Sequence, residues 1–139
     1  MSAASNYTEE NVINALLRGV TFPLPSTVYV SLHTSNPGET GANEVSTGNW
    51  PAYVRKDAAV GGAINTGWAA PTDGVTTNSK QIVYPGMNGA SNLTVSHWAL
   101  FDAATGGNPL AYGALQTART LQPGDVFVFD IGALTVTMA

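Results

Sequence analysis

The hydrophobic period of this chain changes once, near Pro25, and that change limits the folds open to it. Before Pro25, Val12, Ile13, Leu16, Leu17 and Val20 recur at helical spacing. After it, apolar residues alternate with polar ones in short stretches separated by Gly, Asn and Pro. A period of two puts successive side chains on opposite faces of a strand, and a period near 3.6 gathers them on one side of a helix.

The first segment predicts one amphipathic helix over about residues 6–18. Asn6 reads as its N-cap and Glu9 completes a capping box. Glu9 and Glu10 suit the positive helix end. Gly19 offers a left-handed cap, and Pro23 and Pro25 prevent continuation. The five aliphatic residues form one stripe, which has to be buried. The expectation is that it packs within its own chain.

The alternating stretches predict strands over about residues 26–139. In "TVYVSLHT", Val28, Val30 and Leu32 share one face, while Tyr29, Ser31 and His33 share the other. "AYVRKDAAV" is weaker, and "KQIVYP" is short and ends at Pro85. "LTVSHWALFDA" sets Val95, His97, Ala99 and Phe101 against Ser96, Trp98, Leu100 and Asp102. In "LQPGDVFVFDIGALTVTM", a Pro123–Gly124 turn precedes Val126, Val128 and Asp130 on one side and Phe127, Phe129 and Ile131 on the other. Gly132 reads as a bulge, and Leu134, Val136 and Met138 point inward after it. "SNPGETGANEVSTGNW" and "GGAINTGWAAPTDGVTTNS" read as loops, the second anchored by Trp68. Many short strands with Gly-rich turns predict an all-β fold, a mainly antiparallel β-sandwich of jelly-roll type, with one N-terminal amphipathic α-helix. The 139 residues suit a single domain over 1–139, with no repeat or linker to divide them.

Between two strands lies "DAATGGNP". Gly106, Gly107 and Asn108 tolerate positive φ, and Pro109 gives up a donor where a strand begins. The segment reads as a hairpin turn whose small side chains also let another backbone approach.

Composition narrows the function. Only 10% of residues are charged, against about 25% in an average domain. Such a surface is either a neutral β-rich one or one covered by partners. A net charge of −4 with five basic residues argues against nucleic-acid binding. No apolar run approaches the ~20 residues of a membrane span, so membrane insertion is not expected. The polar start "MSAASNYTEE" lacks signal-peptide features, which places synthesis in a cytoplasm. With no cysteine, a disulfide framework and a thiolate zinc site are excluded.

Chemistry is sparsely supplied. His33 and His97 stand on different strands and read as surface or half-buried residues. Ser96 beside His97 is no triad signal, because neighbours on a strand diverge. No metalloprotease, nucleophile-elbow or phosphate-loop pattern occurs. Glu39 and Glu44 share a Gly-rich loop that could hold calcium, but their spacing matches no EF-hand. No catalytic, cofactor-binding or metal residue is therefore predicted, nor any cofactor. The residues that could meet a partner or a glycan are Trp50, Tyr53, Arg55, Trp68, Gly106, Gly107 and Asn108. The aromatics among them could stack on sugars or seal a sandwich end. Arg55 and Lys56 read as solvated charges or interface residues.

The segments "NVINALLRG", "TVYVSLHTSNPGETGANEVS", "AYVRKDA", "HWALFDAATGGNPLAYGAL" and "LQPGDVFVFDIGALTVTM" together resemble a family of short tailed-bacteriophage virion proteins labelled tail-fibre-like. The likeness covers nearly the whole chain. It departs at "TGNWPAYVRK", where Trp50 and Pro51 interrupt the family's Gly-Gly-x-Tyr-Ala-Arg segment. The resemblance implies a non-enzymatic virion subunit without catalytic residues, made in the bacterial host cytoplasm. It implies partners among tail or capsid proteins and a homo-oligomer, as repeated virion subunits require. Tail or baseplate is the first placement, with capsid decoration and host-glycan binding as alternatives.

Overall fold

The computed structural model describes residues 2–138; Met1 and Ala139, the ends of the expected 1–139 domain, lie outside it. The elements in chain order are β1 (Ser2–Ala4), α1 (Asn6–Arg18), β2 (Tyr29–His33), β3 (Lys56–Asp57), β4 (Val75–Thr77), β5 (Ile82–Val83), β6 (Leu93–Phe101), β7 (Pro109–Leu121), β8 (Val128–Phe129) and β9 (Thr135–Thr137). The chain is all-β with one N-terminal helix. A five-stranded sheet runs β1-β7-β6-β2-β3, and two ribbons pair β4 with β9 and β5 with β8, every pairing antiparallel.

The ribbons lie over one face of the large sheet. Ile82, Phe129 and Val136 of the ribbons share a core with Val30, Leu32, Trp98 and Leu100 of the sheet. The second layer of the expected sandwich is thus two ribbons. Segment 34–55 wraps the β2 side of the sheet: Val45, Trp50 and Tyr53 join the core, while Gly41 sits on the Phe101 ring and Ala42 O meets His33 on the opposite face. With both faces covered, the middle strands are buried on both sides. Ser31 and His33 are fully buried, which corrects the expectation of a surface or half-buried His33.

The alternation of β6 slips once. Val95 pairs with Arg119 and His97 with Ala114, so the ladder breaks around Ser96. A bulge inserts a residue and reverses which side chains face the core. Trp98 and Leu100 therefore share the core with Val95, whereas the expected alternation set His97, Ala99 and Phe101 on the Val95 side; Ala99 and Phe101 are buried on the other face. The same irregularity lets the Ser96 hydroxyl reach His97 Nδ1 at 2.7 Å, although strand neighbours ordinarily diverge. At the C-terminus, Leu134 and Val136 are buried as expected, but Ile131 and Met138 are exposed.

The helix spans the expected residues and ends at Gly19, at φ 66°. Its N-cap is Ser5, not Asn6: the Ser5 hydroxyl accepts from Thr8 N–H at 3.2 Å. The side it buries also differs from expectation. Thr8 is buried and Asn11, Asn14 and Ala15 are half-buried, so the polar and small residues face β7. Val12, Ile13, Leu16, Leu17 and Val20 are all exposed, Leu16 by 78% and Leu17 by 80%. The stripe is not packed within its own chain. Polar bonds at its start hold the helix instead: Ser5 N–H donates to Leu110 O at 3.1 Å and the Thr8 hydroxyl to the same carbonyl at 2.7 Å.

Candidate functional site

Four of the residues singled out in the sequence meet around the hairpin between β6 and β7. Gly106 and Gly107 adopt φ of 62° and 73°, as the reversal requires. Asn108 donates from its backbone N–H to Asp102 Oδ1 at 2.7 Å and from its side chain to Oδ2 at 2.9 Å. A side chain at position 107 would meet Asp102 and Ala103, so this turn needs glycine for space as well as for φ.

Arg55 closes the turn from beneath. Its Nη1 donates to the carbonyls of Ala103 at 2.9 Å and Gly106 at 2.8 Å. Its guanidinium carbon lies 3.6 Å from the centre of the Phe101 ring. Its Nε and Nη2 grip the two Glu44 oxygens at 2.9 and 2.8 Å. The planar fork of Arg suits this two-pronged grip, which a Lys could not make. Arg55 is therefore neither solvated nor isolated: its side chain is 8% exposed.

Glu44 also accepts from the Tyr53 hydroxyl at 2.8 Å, and that hydroxyl accepts from Leu32 N–H at 2.9 Å. A continuous polar chain thus runs from a central strand to the hairpin tip. Burial alone would raise the Glu44 carboxyl, but the bonds from Arg55 and Tyr53 outweigh it and hold its pKa below the ordinary value. Burial, with Glu44 beside it, pushes the Tyr53 hydroxyl well up, so it stays protonated and donates. His33 lies on the same covered face. Burial depresses its pKa; its Nδ1 donates to Ala42 O at 2.7 Å, and its Nε2 lies 2.8 Å from the Ser31 hydroxyl, which donates to Ala99 O at 3.1 Å.

The two loop carboxylates considered for calcium have separate partners. Glu44 holds Arg55, while Glu39 accepts from the Tyr112 hydroxyl at 2.8 Å and from Asn6 N–H. Among the described residues, no cluster of three His, Asp or Glu side chains is placed to hold a metal ion.

The aromatics separate. Trp50 is fully buried and donates from Nε1 to Gly86 O at 3.1 Å. Its ring lies 5.6 Å from that of Tyr53, itself buried. Neither ring is presented for a sugar to stack on. Trp68 is half-buried, in an apolar groove of about 270 Å³ with Phe22, Leu110 and Val136.

Two features went unread in the sequence. Glu44 and Arg55 lie eleven residues apart, and their pairing depends on a loop without periodicity. The outward turn of α1 had a signal, since Thr8, Asn11 and Ala15 form a small polar face opposite the stripe.

What the arrangement does chemically is hold shape. Its charges pair with one another and with backbone carbonyls, and an aliphatic face is left outside. The family model described as Podophage GP4 fiber I protein gp80 matches residues 3–137. A search of curated proteins gives no match.

Proposed function

The chain belongs to the Podophage GP4 fiber I protein family, and on that premise we propose that it is a non-catalytic structural subunit of a tailed-phage virion. It folds as one domain and is carried in several copies on the tail or its baseplate. The observation that carries this reading is the outward stripe of α1. A protein that completes its core elsewhere and leaves Leu16 and Leu17 in water has a surface made for a neighbour. The sparse charge and the commitment of Glu44, Arg55 and His33 to internal bonds support the same role. The glycan-binding alternative rests on Trp68 alone, because Trp50 and Tyr53 are engaged inside.

Immunogold electron microscopy of purified virions tests the placement, using antibody against this chain. Label at the tail is the expected result. Label over the head would make the chain a capsid decoration protein. Unlabelled particles that also lack the chain by mass spectrometry would remove it from the virion.

A further inference from the structure

The outward face of α1 carries more than apolar surface. Glu10, Asn14 and Arg18 form an i, i+4, i+8 row along one flank of the stripe. Glu10 and Arg18 are exposed, and Arg18 Nη1 donates to Asn14 Oδ1 at 2.9 Å, which draws the guanidinium onto that flank. The row is acidic at the helix start, neutral in the middle and basic at the end. Reversed upon itself it is complementary: Glu10 meets Arg18, Asn14 meets Asn14, and Arg18 meets Glu10. A parallel pairing would bring this flank against the opposite one, where no charge answers it.

We infer that this face is the seam of a two-fold homodimer, with α1 packed antiparallel on the α1 of a second copy and Glu10 of each chain against Arg18 of the other. The reading rests on the repeated-subunit role and names the surface that such copies share.

Three further observations fit this occupant. The register centred on Asn14 places Leu16 opposite Val12 and Leu17 opposite Asn11, one turn from Ile13. Val12 and Ile13 wall an open groove of about 610 Å³ whose lining also includes Glu9 and Met138, so the incoming leucines have a recess to fill. Val12, Ile13, Leu16, Leu17 and Val20 are all exposed along one side of the helix, Leu16 and Leu17 most of all. Large aliphatic side chains left together in water mark the centre of an interface. Antiparallel helices also oppose their dipoles favourably. An isologous contact closes on itself, so the assembly stops at two through this seam.

Sedimentation equilibrium of the purified full chain is the test, and a dimer mass is expected. Leu16→Glu with Leu17→Glu weakens association by about a hundredfold or more while the circular dichroism stays native. Ile131→Glu, on an exposed position elsewhere, leaves the dimer intact. Glu10→Arg weakens it, and adding Arg18→Glu to the same chain restores it. The chain has no cysteine, so Glu10→Cys and Arg18→Cys variants give a clean orientation readout. A disulfide in the mixture and none in either variant alone supports the antiparallel seam. Cross-linking of each variant with itself overturns the orientation. A monomer at every concentration, or a dimer indifferent to Leu16 and Leu17, overturns the seam altogether. Tail label on virions with a monomeric chain would leave the virion role standing and sink only the dimer; a dimeric chain absent from virions would do the reverse.

Discussion

Helix α1 and segment 34–55 are opposite cases of how a pattern relates to burial. The helix has the most regular hydrophobic spacing in the chain, and its aliphatic stripe lies in water. The segment has no periodicity and is rich in Gly, Asn and Thr. It supplies Val45, Trp50 and Tyr53 to the core and a closely held ion pair to the back of the sheet. A periodic stripe states that several residues will be covered together. It leaves open which surface covers them. An irregular loop states nothing about grouping, yet one Trp and one Arg within it can find deep partners.

The largest expected effect breaks the loop side of that contrast. Trp50→Ala removes a fully buried ring and the bond to Gly86, at a cost of about 3–5 kcal/mol. Urea denaturation reads it directly, and a loss under 1 kcal/mol would mean that the ring is not part of the core. Arg55→Ala comes next. It leaves Glu44 without its cation and frees the carbonyls of Ala103 and Gly106. Breaking such a pair costs about 3 kcal/mol. In amide exchange, protection should fall first in the hairpin between β6 and β7.

Acid sharpens the comparison, because both groups that respond to it lie on the covered face. The folded pKa of His33 is depressed below 6.5, so the unfolded chain binds more protons below that pH. Its contribution is present above pH 6.5 and is lost as pH falls towards the folded value. Glu44 is depressed below 4.5, and its contribution is lost in turn as pH falls beneath that value. Stability should therefore decline on acidification, and Glu44→Gln should remove the part of the loss that sets in below pH 4.5. A Glu44→Gln chain that keeps the whole loss would refute this assignment. The smallest effect is expected on the helix. For the dilute monomer, Leu16→Ala should change stability by no more than about 0.5 kcal/mol, because that side chain touches little in its own chain.

What could be read from the sequence follows the same division. Local chemistry was legible. The Gly106–Gly107 reversal with Asn108, the left-handed end of α1 at Gly19 and the Pro123–Gly124 turn each depend on a few adjacent residues. Relations across the chain were not. The slip at Ser96 depends on how β7 runs beside β6, so Trp98 and His97 exchanged faces without any mark in the local pattern. The grip of Arg55 on Glu44 required the loop to be folded before the two could be seen as partners. Ser5 displaced Asn6 as the cap because its hydroxyl and backbone also reach residues of β7, a strand more than a hundred residues away.

The N-terminal strand β1 pairs along β7 and also touches β9. The Ser2 hydroxyl donates to Thr137 O at 3.0 Å and accepts from Thr137 N–H at 2.6 Å. Residues 135 positions apart in sequence are thus tied at one corner, and the bond closes a loop that holds every strand from β2 to β8 between its two ends. Mechanically, a pull applied across Ser2 and Thr137 loads this one corner before it reaches the rest of the sheet.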